Sequence, residues 1–270
     1  MIDLIGLSKT TKYYNFHSHT QFCDGRAAMA DFVPQAVSEG FVHYGFSPHA
    51  PVKVDSPCNM SFESVPEYLA EVQRLRDEYR GKINLYASME VDYFDDWGPS
   101  DEYFHNLNLD YIIGSVHFIP DFDDHTKSVD IDGCFEAFNR KMSAHFHNDI
   151  EAVVRSFYAQ SMQMIEKGGF DVIGHFDKIG HNAGHYREGI ENEPWYEKLV
   201  REEFDAIMEK GYIIEINTKA LADHRRYFPN ERYFSWLKKY NAPVIINSDV
   251  HFTHLINAGR FEAMQAFEKA

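Results

Sequence analysis

Two histidines one residue apart, His17 and His19 in NFHSHTQFCDG, open a series of residues able to hold metal ions. His49 follows in GFSPHAP, Glu90 in ASMEVDY, His117 in GSVHF and His175 in VIGHFD, and Asp249 with His251 closes the series in IINSDVH. Side chains of an extended strand alternate between its faces, so an H-x-H pair presents both imidazoles on one side. Neutral imidazoles combined with carboxylates suit zinc, iron or manganese better than calcium. More than four candidate ligands, one of them a carboxylate able to bridge, point to two or three divalent ions. Paired metals activate a water and clamp the attacking and leaving oxygens of a phosphoester. Any one of these histidines alone is more often a hydrogen-bonded surface or core residue, and Asp249 alone could cap a helix. Their recurrence at comparable places along the chain carries the reading.

Those places are the ends of seven short, β-rich runs: Tyr13–His19, Val42–His49, Ile83–Tyr93, Tyr111–Ile119, Phe170–Phe176, Tyr212–Asn217 and Pro243–Asp249. Several are almost continuous in Val, Ile, Phe and Tyr, as strands covered on both faces of a parallel sheet are. Helical patterns lie between them, at Met29–Glu39, Val65–Tyr79, about 135–168, 195–210, 231–240 and Arg260–Lys269. Gly40, Gly81, Gly169 and Gly211 stand where helices should stop. Repeated βα units without a composition break predict one α/β domain over 1–270, a (βα)7 barrel rather than an open sheet. Six of the seven strands then deliver His or carboxylate at the C-terminal end, where a barrel gathers its active site. Lys127–Ile150 is the least regular stretch and reads as an insertion, a lid over the site.

Bulk properties narrow the function further. The 270 residues are 44% hydrophobic and rich in Phe (22) and Tyr (16), enough for a substantial core and against disorder. A net charge of −16 disfavours a general nucleic-acid partner, while leaving room for an anionic substrate wherever bound cations reverse the local field. Three cysteines, Cys23, Cys58 and Cys134, with no close pairing suggest a reducing compartment. The N-terminal stretch lacks the features of a signal peptide and no segment approaches a membrane span, so a cytoplasmic location is expected.

At these residues the sequence resembles the PHP (polymerase and histidinol phosphatase) family. The likeness runs through His17, His19, Asp24 and Gly25, then the P-H after the second strand, M-E-V-D-Y, G-S-V-H, G-H-x-D and S-D-x-H, in family order. GFSPHAP, GSVHFI, FDVIGHFDKI and IIEINT look most like the histidinol-phosphate phosphatase branch. The resemblance implies a distorted TIM-like (βα)7 barrel with three metals. One would be held by His17, His19, Glu90 and Asp249, a second by Glu90, His117 and His175, and a third by Asp24, His49 and His251. Two departures stand out: Pro48 occupies the place where the family commonly has Asp, and KALADHRRYFPNERY replaces a short Gly-Leu-Arg type stretch after IIEINT. The phosphate-binding cation is then one or more of Arg155, Lys178, Lys219, Arg225 and Arg226.

The implied reaction is hydrolysis of a small phosphomonoester, L-histidinol phosphate, in histidine biosynthesis, with Glu90 and Asp249 as the catalytic carboxylates and Asp249 passing a proton to the leaving alkoxide. Rivals are a phosphotyrosine or broad phosphomonoester phosphatase, an exonuclease and a non-catalytic metal-binding module. Substrate choice would come from loop aromatics (Phe118, Phe122, Tyr186, Tyr227) and nearby acids. The other nine histidines are read as non-ligands, although His181 and His185 lie close enough to the fifth strand to touch substrate.

Overall fold

In the computed structural model, which describes residues 2–270, all seven apolar runs form strands of one parallel sheet, hydrogen-bonded in chain order. They are β1 (Tyr14–Asn15), β2 (His43–Phe46), β3 (Asn84–Asp92), β4 (Tyr111–Ser115), β5 (Val172–Ile173), β6 (Ile213–Asn217) and β7 (Val244–Asn247). The sheet curves until its edges meet. His19 N–H donates to Val250 O at 2.8 Å and Val250 N–H to His17 O at 3.4 Å, so the barrel is nearly closed. Helices Met29–Ser38, Val65–Glu78, Ile150–Lys167, Pro194–Lys210, Phe234–Lys239 and Arg260–Lys269 cover the outside of the strands, which explains their continuous apolar runs.

Two stretches differ from expectation. The helix anticipated over 135–168 is two helices, Phe135–His145 and Ile150–Lys167. His147 and Asn148 adopt left-handed φ values of 50° and 59°, and Asp149 caps the second helix by accepting from Ala152 N at 3.0 Å. The run expected to continue β4 to Ile119 instead turns into an antiparallel hairpin, Phe118–Pro120 with Ser128–Asp130. Lys127–Ile150 is therefore largely regular structure, tied down by His145 to Asp121 (2.7 Å) and His147 to Asp123 (2.9 Å).

A helix that the sequence did not signal, Leu4–Thr10, is capped by the Asp3 side chain on Gly6 N (2.8 Å). Its Leu4 packs with Tyr14, Phe16, Tyr111, Ile113, Val172 and Ile245, residues on or beside four strands. Apolar packing thus seals that end of the barrel, leaving the opposite end for polar chemistry. At the seam between β1 and β7, fully buried Arg260 lies over Tyr14 and donates to Ile246 O, Lys12 O and Asn257 Oδ1, so its charge is distributed over acceptors and a ring face.

Glu203, on helix Pro194–Lys210, is fully buried and accepts a hydrogen bond from the Ser161 hydroxyl, while its Oε2 has no partner. Burial pushes its carboxyl well above the usual carboxylate range. An unfolded chain ionises Glu at about 4.3. Above that pH the unfolded state releases a proton that the fold retains, so this group costs stability as pH rises towards its folded value. Glu203→Gln keeps the shape without the titration. Its melting temperature should match wild type near pH 4 and exceed it increasingly towards pH 8. A difference independent of pH would show that Glu203 is ionised in the fold.

Candidate metal centre

Four of the ligand candidates stand two residues past their strands: His17 after β1, His117 after β4, His175 after β5 and Asp249 after β7. His49 follows β2, and Glu90 lies within β3, bridged to His49. All point into the open end of the barrel and converge. Glu90 is central and 1% exposed. Its Oε1 lies 2.8 Å from His175 Nε2 and 3.7 Å from His117 Nε2, and its Oε2 lies 3.2 Å from His17 Nε2, 3.4 Å from His19 Nε2 and 3.1 Å from His49 Nδ1. Each carboxylate oxygen faces a different set of imidazoles, the arrangement of a bridging ligand. Asp249 Oδ1 is 3.0 Å from His19 Nε2 and 3.7 Å from His17 Nε2. On the outer side, Asp24 approaches His251 (3.3 Å), His19 Nδ1 (3.5 Å) and His49 (3.9 Å). His19 accordingly stands between two groups, with one nitrogen towards each.

The donor set fits divalent metals. His17 Nε2 and His19 Nε2 are 3.2 Å apart. Two imidazoles on one tetrahedral zinc, at about 2.0–2.1 Å each, hold their nitrogens about 3.3–3.4 Å apart. Asp24 Oδ1 and His49 Nδ1 are buried without a hydrogen-bond partner, although buried polar atoms are ordinarily satisfied. Among the described residues the candidate ligand atoms gather as His17–His19–Asp249, Glu90–His117–His175, His19–Asp24–His49–His251 and, sharing two of these histidines, His49–Asp92–His117.

Behind the ligands lies a set of orienting groups. Glu215 Oε1 is 2.7 Å from His17 Nδ1, and Asp92 Oδ1 is 2.8 Å from His117 Nδ1, so on a bound metal each ring would keep its proton on the far side and turn a lone pair inward. Asn217 donates to Asp249 Oδ2 and Glu215 Oε2 (both 3.0 Å), and Asn247 donates to Glu215 Oε1 (2.9 Å). None of these four had been singled out, yet Asp92 is two residues from Glu90 and Asn217 two from Glu215, hence on shared strand faces. His49, preceded by Pro48, turns its Nδ1 to Glu90 instead of to an orienting carboxylate.

Charge in this cluster is sharply divided. Burial opposes the imidazolium of His17, but Glu215, Asp249 and Glu90 raise it well above the ordinary histidine value. His19 is held well below that value by burial and by His251 and His49, and His175 is pushed down to about 4 by burial and Lys178. Glu90 and Asp249 stay ionised despite burial because histidines, and for Asp249 also Lys219, surround them. Opposed shifts in touching buried groups mark a place built around additional charge. Backbone strain coincides with it: His175 and Asp249 have φ of 28° and 49°, a region non-glycine residues rarely enter. Gly25 is required for another reason, since a Cβ there would collide with the backbone of His19 and Thr20, over which the Asp24 turn folds.

Above the centre lies a cavity of about 430 Å³. Its cations are Lys178 and Lys219. Lys178 Nζ is 3.3 Å from His117 Nε2 and 2.8 Å from Asp132; Lys219 Nζ is 3.3 Å from His251 Nε2 and 3.5 Å from Asp249 Oδ1. Asp55, Asp130, Asp132 and Asp223 form an acidic rim, with Phe118 and Phe228 as its aromatic walls. The Lys127–Ile150 segment contributes Asp130, Asp132, Gly133 and Cys134 to this lining.

The three arginines lie elsewhere. Arg155 pairs with Glu151 (2.7 Å) on an outer helix and covers Trp195. Arg226 is bound to Glu191 (2.8 Å) and to buried Asp177 (3.1 Å) of the G-H-x-D motif, and Arg225 lines a neighbouring cavity of about 350 Å³. Of the aromatics expected at the mouth, only Phe118 is there. Phe122 packs on Phe146, Tyr186 on Phe138 and Tyr227 on Phe234, each drawn into local apolar packing. His181 lines the main cavity and His185 the neighbouring one. Among the described residues, no helix is long and apolar enough to cross a membrane.

Comparison with known proteins places this geometry in context. A family model described as PHP domain matches residues 15–219. A Schizosaccharomyces pombe protein named "Probable histidinol-phosphatase" is 26% identical, over 94% of this chain and 85% of its own length. The Bacillus subtilis "Histidinol-phosphatase" is 24% identical over 87% and 92%. Among solved structures, a histidinol phosphatase candidate from Listeria monocytogenes superimposes with a TM-score of 0.80 at 19% identity, covering 92% of this chain and 99% of that one. Histidinol phosphate phosphatase from Lactococcus lactis, crystallised with zinc, L-histidinol and phosphate, gives 0.68 at 17% identity, with 96% and 93% covered.

Proposed function

The chain belongs to the PHP domain family, and from that premise we propose that it is a metal-dependent phosphatase that hydrolyses L-histidinol phosphate to L-histidinol and phosphate. The observation that carries the chemistry is the largely buried convergence of His, Asp and Glu side chains able to hold metal, opening into a cavity whose cations are two lysines. His17, His19, Asp24, His49, Glu90, His117, His175, Asp249 and His251 would hold the ions. Bound divalent metals would supply water activation and charge neutralisation at the phosphoryl group.

The protein's own groups do the rest. Lys178 and Lys219, at the inner edge of the cavity, bind the peripheral phosphoryl oxygens and offset charge as it moves to the leaving oxygen. Asp249 Oδ1, facing Lys219 Nζ, takes up a proton and passes it towards the leaving alkoxide. Glu215, Asp92 and Asn217 keep the ligand rings and carboxylates in place. Substrate identity is supported by the names of the relatives and by the rim. An ammonium fits Asp55, Asp130, Asp132 and Asp223, and an imidazole fits Phe118 and Phe228.

Two measurements test this reading. Elemental analysis of metal-supplemented protein should give two to three equivalents of divalent ion per chain; less than one would retire the cluster. Initial rates should show kcat/KM for histidinol phosphate at least ~100-fold above phosphotyrosine or p-nitrophenyl phosphate, about 2.7 kcal/mol of transition-state discrimination. Equal values would leave a phosphatase of broad specificity, and preference for phosphotyrosine would transfer the assignment there.

A further inference from the structure

Beside the proposed metal centre lies a second group of histidines that the reaction does not use. His181 and His185 stand four residues apart on helix Ile179–Tyr186, and such a spacing places both rings on one face. His224, from the short helix Leu221–His224 after β6, faces them across the boundary between the two cavities. The ring centroids of His181 lie 4.5 Å from His185 and 4.3 Å from His224, and His185 and His224 are 6.0 Å apart. Histidines within one group of the main cluster have ring separations from 4.1 Å for His19–His251 to 5.2 Å for His17–His19, so two of the three pairs already match and His185 and His224 would close by less than 1 Å to share an ion.

We propose that His181, His185 and His224 form a separate site for one transition-metal ion of the zinc class. An all-imidazole donor set selects zinc, nickel or copper over magnesium or calcium. Among the described residues, none of the three rings has a carboxylate partner or a hydrogen bond, so no existing interaction must be broken. His185 and His224 are exposed, which leaves their rings free to turn until the nitrogens converge on one point. His181 is pushed down to about 4 by burial and by its two histidine neighbours, so it is neutral, the form that ligates. A helical i, i+4 histidine pair completed by a third ligand from another element is a sufficient frame for such an ion.

The test uses the metal-replete protein, dialysed to remove loosely held ions and titrated with zinc chloride by calorimetry. Wild type should take up one further equivalent with a Kd of about 1–10 μM. His185→Ala, outside the substrate cavity, should weaken that uptake at least ~10-fold, with the tightly held metal content and kcat unchanged. His224→Gln should weaken it similarly, and melting curves matching wild type establish that both variants fold. The proposal is overturned if wild type takes up no further equivalent below about 100 μM, or if both variants bind zinc as wild type does. Because the readout is uptake beyond the tightly held complement, its failure is distinct from failure of the phosphatase assignment.

Discussion

Replacing Glu90 with glutamine is expected to lower kcat at least ~1000-fold, about 4 kcal/mol, and to remove one or more equivalents of metal from the purified protein. The two oxygens of Glu90 face different groups of imidazoles, at 2.8 Å on one side and 3.1–3.4 Å on the other. Its charge therefore serves two positions at once. The Ser115 hydroxyl donates to Oε1 at 2.7 Å. In the glutamine variant that hydrogen bond would keep the carbonyl oxygen on the His117–His175 side and turn the NH₂ towards His17, His19 and His49. A donor aimed where a cation must sit repels it, so the metal loss should fall first on the His17–His19–Asp249 group. Elemental analysis and phosphate-release kinetics on the same preparation measure both effects. Wild-type metal content together with wild-type kcat would show that Glu90 is structural and would undo the bridging assignment.

What the sequence disclosed depended on how local the governing physics was. His17 and His19, Glu90, and the Asp249–His251 pair were legible because strand alternation and the C-terminal ends of parallel strands fix where such residues point. Asp92 and Glu215 follow the same alternation and were within reach, but an acid on a buried strand becomes meaningful only once its histidine partner is known. That partner is 25 residues away for Asp92 and 198 for Glu215. Arg226 fails for the same reason in reverse: in sequence it is a free cation near the site, and in the fold Asp177, 49 residues earlier, and Glu191 claim it. The helix Leu4–Thr10 gave too few periodic positions to signal itself, and it exists because the barrel end offers Leu4 an apolar seat. The break between Phe135–His145 and Ile150–Lys167 rests on two left-handed residues, His147 and Asn148, and an Asp cap, signals that a long apolar periodicity masks.

The proposed function gives the cationic work at the phosphoryl group to the lysines, since the arginines lie outside the cavity, and Lys178→Met is then expected to lower kcat/KM by ~100- to 1000-fold with metal content unchanged. Lys178 is 12% exposed, and burial alone would disfavour its charge. Asp132, Asp249 and Glu90 outweigh that cost and hold its ammonium above the ordinary lysine value, so it is charged at neutral pH. A permanently charged ammonium fixed by Asp132 needs no reorganisation when negative charge moves on the phosphoryl oxygens, which is where preorganised charge acts most strongly. Lys219, with 39% of its side chain exposed, is better screened, and Lys219→Met should cost less. Lys178→Arg keeps the charge but replaces a compact ammonium by a planar fork, so it should recover only part of the loss. Asp132→Asn leaves the ammonium in place but unanchored and should raise KM more than it lowers kcat. Steady-state kinetics on the four variants, each checked for metal content, separate these contributions. If Lys178→Met stays within about threefold of wild type, the phosphoryl group is bound elsewhere and the lysine serves only to balance Asp132.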